Sequence, residues 1–292
     1  MELPKLYKYR YFNEKLVSRN RLPGGEQIPQ WHQVLYDGLI FPAAPESFND
    51  PYDCDFLLED SFLDSRAARD IFIDMLSSRC KLTQAEVDLI NSSDRLESAL
   101  KTVLWNHFRV RSRGLAKTLM CDLNDKFKEA KELLRVACFS ENNSSILMWS
   151  HYAQNHTGFC IEYNLNEWDC KNHIKPVQYS NERHYISGNF ADDLSPHAGR
   201  SIMDAALYKS SEWSYEKEWR LVMSRIDLAH PELKGLTPAC FLKDYISSVY
   251  LGAKCKEDYK VQVCQHFKST SVKIYQMEME TASYKLTPKL LN

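Results

Sequence analysis

Glu216 and Glu218, one residue apart in Trp213-Ser214-Tyr215-Glu216-Lys217-Glu218-Trp219-Arg220, are carboxylates at a spacing that suits catalysis. Read as a pleated strand, the stretch puts Glu216, Glu218 and Arg220 on one face. Tyr215, Trp219, Leu221 and Met223 fall on the other. A carboxylate beside an oxocarbenium-like carbon stabilises its developing positive charge, and a second one can orient or deprotonate the attacking group. A half-buried antiparallel strand with one solvated face shows the same alternation. The pattern alone therefore leaves a catalytic floor and a solvated sheet face both open.

Other residues with chemical potential are spread along the chain. Lys8 and Arg10 share a face of the alternating, aromatic-rich stretch Leu6–Phe12, where a guanidinium can hold phosphates bidentately. Ser47-Phe48-Asn49-Asp50-Pro51-Tyr52-Asp53 is a polar turn whose Asn and Asp can bond a ligand or cap their own turn. Ser140 ends a buried-type strand, and Trp149, Tyr152 and His156 make one helical stripe, core-like but polar at its edge. Asp50, Asp53, Asp55 and Glu59 keep a metal-dependent nuclease as a weaker alternative. Arg109, Arg111, Arg113 and Lys117, beside Trp105, His107 and Phe108, form a basic run that suits a phosphate backbone or a solvated helix end.

Bulk properties exclude several classes. The chain has 292 residues, 44% hydrophobic and 26% charged, which is ordinary for a globular protein. A formal charge of −2 excludes a global polycation, so contact with nucleic acid must use a local patch. Aromatics reach 12%, enough for a stacking pocket or a dense core. No Gly-rich phosphate loop, Walker motif or G-x-S-x-G elbow occurs. The 9 cysteines include no C-x-x-C pair and the histidines no H-E-x-x-H, so free thiols and no metal are expected. With no signal-like or membrane-spanning stretch, a cytoplasmic protein that does not engage a membrane is expected.

The elements that must position these groups are those of an α+β fold. Strands are expected at Leu6–Phe12, Leu39–Phe41, Val136–Ser140, Phe159–Tyr163, Ile246–Leu251 and Val272–Met277, besides the Glu-x-Glu stretch. Helices are expected at Trp31–Tyr36, across a largely helical insertion at about 61–135, at Ile146–Asn155 with Gly158 as C-cap, at Ser201–Lys209 and at about Lys256–Phe267. Thr83 followed by Glu86 is a capping box, and Gly114 a break. Residues 170–200 and the tail read as irregular. No repeat divides the chain, so a single domain, 1–292, is expected.

Four stretches carry a resemblance: LYKYR (6–10), SFNDPYD (47–53), CFSENN with LMWSHYAQNHTGFCIEY (138–163), and WSYEKEWRLV (213–222). They are similar to the bacterial domain-of-unknown-function family DUF2971, which in turn resembles the ADP-ribosyltransferase superfamily with its Arg–Ser–Glu or His–Tyr–Glu arrangement. That resemblance implies an ADP-ribosyltransferase-like split β-sheet core and NAD as co-substrate. It implies Glu218 as the catalytic carboxylate and Glu216 as its accessory. Arg10 or Lys8, Tyr9, Ser47, Phe48, Asn49, Ser140, Trp149 and Tyr152 would bind the dinucleotide. The superfamily's Ser-Thr-Ser is Ser140-Glu141-Asn142 here. The biology implied is a toxin-like effector of phage defence with a possible antitoxin partner; the basic run Arg109–Lys117 and the aromatic richness favour nucleic acid, RNA first, as the acceptor, with protein the near rival. The rival readings are the nuclease and a non-enzymatic nucleotide-sensing or partner-binding module, in which Glu216, Glu218 and Arg220 are an internal salt-bridge network.

Overall fold

The aromatic and basic run near the N-terminus forms a strand, β1 (Leu6–Arg10), inside an eight-stranded sheet. The structure, a computed structural model, describes residues 2–18, 26–59, 61–62, 65–108, 125, 128, 131–132, 134–186, 203–224 and 240–291. The sheet's other strands are β2 (Leu134–Ser140), β3 (Phe159–Tyr163), β4 (Ile174–Pro176), β5 (Glu218–Ser224), β6 (Ile246–Leu251), β7 (Lys273–Met279) and β8 (Leu286–Leu290). Their order is β8-β7-β6-β3-β1-β2-β5-β4. β1 runs antiparallel to β2 and β3, as do β3 to β6, β5 to β4 and β7 to β8, whereas β6 and β7 run parallel.

The main helices are α1 (Gln30–Leu35), α2 (Arg66–Ser77), α3 (Gln84–Ser92), α4 (Leu96–Phe108), α5 (Ile146–Tyr152) and α6 (Glu257–Phe267). α6 makes the crossover that a parallel pair such as β6 and β7 requires, and it buries Val263 and Phe267. The class is mixed α+β, as expected.

By its contacts the chain divides into two units. The first comprises Met1–Ala43, Arg135–Val177 and Ser211–Asn292, and holds the sheet with α1, α5 and α6. The second comprises Ala44–Leu134 and Gln178–Ser210, and holds α2, α3 and α4.

In the first unit the strand alternation sorts side chains into two layers. Leu6, Phe139, Phe159, Ile161, Trp219, Leu221, Val249 and Leu251 join one apolar cluster, with Phe267 of α6. Tyr7, Tyr9, Cys160 and Tyr250 join another, with Met148 and Trp149 of α5. β3 is buried at every position because both its faces are covered.

In the second unit, the capping box at Thr83 and Glu86 opens α3 as expected, and Ser65 caps α2 through Ala68 N. Two short parallel pairs accompany the helices: Leu57–Leu58 with Tyr185–Ile186, and Gln178–Ser180 with Tyr208–Ser210.

Several expectations are corrected. Lys209, expected at a helix end, lies in a strand paired with Tyr179, so partner strand pairing outweighed local helical spacing. The region 170–200 contains β4 and the short strands Gln178–Ser180 and Tyr185–Ile186. The tail forms β8, whose single buried residue, Leu286, and whose Pro288 mask its strand character. Such a strand is tolerated because it lies at the sheet edge, where a missing N–H costs no ladder bond. The helix after Ser145 stops at Tyr152 instead of Asn155. Its exit is made by Gln154, Asn155 and His156 at φ 47°, 55° and 68°, not by Gly158. Gly114 and the basic run Arg109, Arg111, Arg113 and Lys117 lie outside the described residues.

Candidate functional site

The Glu-x-Glu motif is not one strand. Ser211–Glu216 is a 3₁₀ turn, and β5 starts only at Glu218. Lys217 between them has φ 43°, and its N–H donates to Ser214 O at 3.2 Å. A non-glycine residue in that left-handed region costs roughly 1–2 kcal/mol, so the surroundings must hold it there. Part of that hold comes from Glu141 N, which donates to Lys217 O at 3.0 Å. Glu216 is therefore aimed by a turn and Glu218 by a pleat.

Glu216 is 2% exposed, and two segments converge on it. Tyr152 of α5 donates its hydroxyl to Glu216 Oε1 at 2.6 Å. Ser140, the last residue of β2, donates Oγ–H to Glu216 main-chain O at 2.5 Å, and Ser140 Oγ accepts from Asn142 N at 3.0 Å. The loop after Ser140 is fixed in turn. Tyr9 Oη donates to Asn142 O at 2.6 Å, and Trp149 Nε1 to Asn143 O at 2.8 Å. The Tyr9 and Trp149 rings meet edge to face at 5.2 Å, and Trp219 Nε1 reaches Glu141 Oε1 at 2.6 Å. Tyr9 and Trp149 thus act on the site through the loop they hold.

Glu218 has a different partner. Arg220, fully buried two residues along the same face, donates Nε to Glu218 Oε1 at 2.9 Å and Nη2 to Oε2 at 3.0 Å. This is the two-pronged geometry in which a guanidinium matches a carboxylate best. Burial, and then the neighbouring Glu218 charge, push the Cys138 thiol well up, so it stays a neutral neighbour of the pair.

Lys8 and Arg10 lie on the other side of the sheet. The β1–β2 register sets Tyr7 opposite Ser140, so Tyr7, Tyr9 and Ser140 share one face. Lys8 and Arg10 alternate to the face of Ile161 and Phe159, their partners on β3. Lys8 Nζ donates to Cys138 O at 2.6 Å and sits 5.1 Å over the Phe139 ring. Burial lowers the Arg10 pKa. Ser47, Phe48 and Asn49 belong to the second unit, where Ser47 Oγ closes its own turn on Ala44 O at 2.7 Å.

The acids of the nuclease reading are also in the second unit and are engaged. Asp53 pairs with Lys209 at 3.6 Å, Asp55 with Arg183 at 2.6 Å, and Asp50 Oδ1 accepts from Tyr52 N at 2.9 Å. Among the described residues no three His, Cys, Asp or Glu side chains come together as a metal site. No described helix is long and apolar enough to cross a membrane.

One further buried carboxylate was not singled out in the sequence. Glu162, in the fully buried β3, accepts from Tyr250 Oη at 2.7 Å, Ser247 Oγ at 2.8 Å and Lys5 Nζ at 3.0 Å. Burial raises its pKa, but the bonds from Tyr250, Ser247 and Lys5 outweigh burial and leave it lowered. Burial, then the Glu162 charge, in turn raise Tyr7. An acid inside an otherwise apolar strand, Phe159-Cys160-Ile161-Glu162-Tyr163, was the available signal.

No curated protein and no solved structure matches the chain. Residues 148–221, which run from α5 through Tyr152, Glu216 and Glu218 into β5, match the model of the family described as Protein of unknown function (DUF2971), so the family expected from the motifs is the one found over this segment.

Proposed function

We propose that the first unit is an NAD-dependent ADP-ribosyltransferase in which Glu216 is the catalytic carboxylate, with Ser140 and Tyr152 holding it. The observation that carries this reading is the convergence of Ser140 Oγ and Tyr152 Oη on Glu216 from separate segments on one sheet face. Ser140 and the Glu-x-Glu stand in the order of the Arg–Ser–Glu arrangement that the resemblance implies, and this reading leaves out its arginine. The bond from nicotinamide to ribose breaks with its electron pair leaving on nicotinamide, and the ribose carbon becomes oxocarbenium-like. A buried carboxylate facing that carbon offsets its charge. The acceptor's nucleophile forms the new bond to the same carbon, and its proton passes to the carboxylate. The resemblance put catalysis on Glu218 with Glu216 as accessory; this proposal exchanges the two roles because Arg220 occupies both Glu218 carboxylate oxygens, which makes Glu218 the positioning partner. The split-sheet fold expected from the resemblance belongs to this proposal, as do the role of a toxin-like phage-defence effector and an antitoxin partner. Lys8 and Arg10 are not used in it.

The test is incubation with labelled NAD and separate RNA, DNA and protein fractions, RNA being the expected acceptor. Glu216→Gln should abolish labelling while the fold persists. Labelling equal to wild type in that variant refutes the mechanism.

One observation favours a second reading. The buried Glu218–Arg220 pair is what a non-enzymatic binding module with an internal salt bridge would contain. In that case no fraction is labelled, and Glu218→Gln lowers thermal stability alone.

A further inference from the structure

The second unit holds a cavity of about 350 Å³ lined by Tyr52, Asp55, Glu182, Arg183, Tyr208 and Lys209, among others. Its walls come from a turn and two strand ends. Asp50 and Tyr52 form a side-chain-closed turn that presents the Tyr52 ring, 60% exposed. The parallel pair Gln178–Ser180 and Tyr208–Ser210 forms the other side. Between them, residues 181–184 bend toward Leu57, whose N–H donates to His184 O at 2.9 Å.

The chemistry of this cavity suits a base more than a phosphate. Its two cations are already matched by acids, Arg183 to Asp55 at 2.6 Å and Lys209 to Asp53 at 3.6 Å, so no net positive charge is offered. The Glu182 carboxylate is exposed, and its main-chain N–H is tied to Ser180 Oγ at 3.0 Å. Arg183 Nε is buried with no hydrogen-bond partner, and the guanidinium lies 5.1 Å over the Tyr52 ring. His184 stacks on Tyr208 at 3.7 Å and 12°, and burial lowers its pKa, so this wall is aromatic and uncharged. A guanidinium on a half-exposed side chain next to an exposed carboxylate, between flat rings, complements one base best. Guanine offers acceptors at O6 and N7 for a guanidinium and N–H donors at N1 and N2 for a carboxylate, whereas adenine offers a donor where guanine has O6. Stacking on tyrosine adds affinity to any base and selectivity to none.

We propose that this cavity binds a guanine base, as a free nucleotide or as one unpaired residue of single-stranded RNA. Glu182 accepts from the N1 and N2 edge, Arg183 donates to the O6 and N7 edge, and Tyr52 or Tyr208 stacks on the ring. Binding here does not require the transfer reaction assigned to the first unit.

Titration of the full chain, without NAD, with guanosine, its 5′-monophosphate and the adenosine counterparts tests this by calorimetry. Guanosine and its monophosphate should bind alike, and more tightly than the adenosine pair by about tenfold or more, the factor one good paired contact contributes. Arg183→Ala and, separately, Glu182→Gln at an exposed position that folding does not need, should erase that preference. Glu216→Gln should leave it unchanged, which separates this site from the proposed catalytic one. A short single-stranded RNA with one guanine, compared with one lacking it, distinguishes the sources. Tighter binding than guanosine assigns the strand, and equal binding assigns the free nucleotide. Equal affinity for guanosine and adenosine, no binding of either, or a preference that survives both substitutions overturns the proposal.

Discussion

Tyr152 and Arg220 each meet one acid of the Glu-x-Glu pair, and the two bonds predict different phenotypes. Tyr152→Phe removes a charge-assisted hydrogen bond worth about 1.5–3 kcal/mol, so labelling from NAD should fall roughly ten- to a hundredfold. Arg220→Met leaves Glu218 as a buried acid without its matched cation, which costs about 3–5 kcal/mol in urea unfolding. Adding Glu218→Gln should restore much of that loss, since removing both charges spares the desolvation of one. If the single and double variants unfold alike, the pair is not coupled. At this scale the sequence singled out the acids together with Arg220, Ser140 and Tyr152, but not which acid each of them meets. Glu216 and Glu218 stand at pleat spacing, yet Lys217 in the left-handed region makes that spacing coincidental.

At the scale of elements, the α3 start makes a pH prediction. Backbone hydrogen bonding at Thr83 and the side-chain bond from His107 draw the Glu86 carboxyl down to about 2 from its ordinary 4.5, against the opposing effect of burial. Its folded value is below its unfolded one. The stability it contributes is therefore complete above pH about 4.5 and lost as pH falls toward about 2. Melting curves across that window should show this slope in wild type and lose it in Glu86→Gln. Thr83→Ala should cost about 1 kcal/mol at neutral pH. The loop leaving α5 makes another prediction. A Cβ on Gly252 would stand 2.1 Å from His156 O, so Gly252→Ala should destabilise by about 1–3 kcal/mol. The capping box was legible because it is local in sequence. Gly252 was not, since its constraint comes from a carbonyl ninety-odd residues away, counted as 252 minus 156.

At the scale of the whole molecule, the sheet decides which residues can cooperate. Arg10 and Lys8 stand on the face opposite Ser140, so Arg10→Ala should leave NAD-dependent labelling within about twofold of wild type, the scatter expected of a site outside the cluster. A loss as deep as that of Glu216→Gln would return the phosphate contact to Arg10. Ser47, Phe48 and Asn49 fall in the second unit, together with the cavity proposed for guanine. The chain returns to each unit more than once, at Ala43 and Ala44, at Leu134 and Arg135, at Val177 and Gln178, and at Ser210 and Ser211. Of these crossings, the end of the helical insertion expected at about 61–135 anticipated the one from Leu134 to Arg135.

The sequence by itself determined what short-range periodicity and local capping can encode: β1, β3, β6, α6, the α3 cap, the mixed α+β class and the family of residues 148–221. Those features depend on neighbours within a turn or a pleat. Only the tertiary structure decided that β8 and β4 close the sheet, because edge strands with little buried surface leave almost no pattern. It also decided that Glu216 answers to Ser140 and Tyr152 while Glu218 answers to Arg220. Those partners are set by strand register and by one left-handed residue, and register depends on pairing with strands far away in the chain.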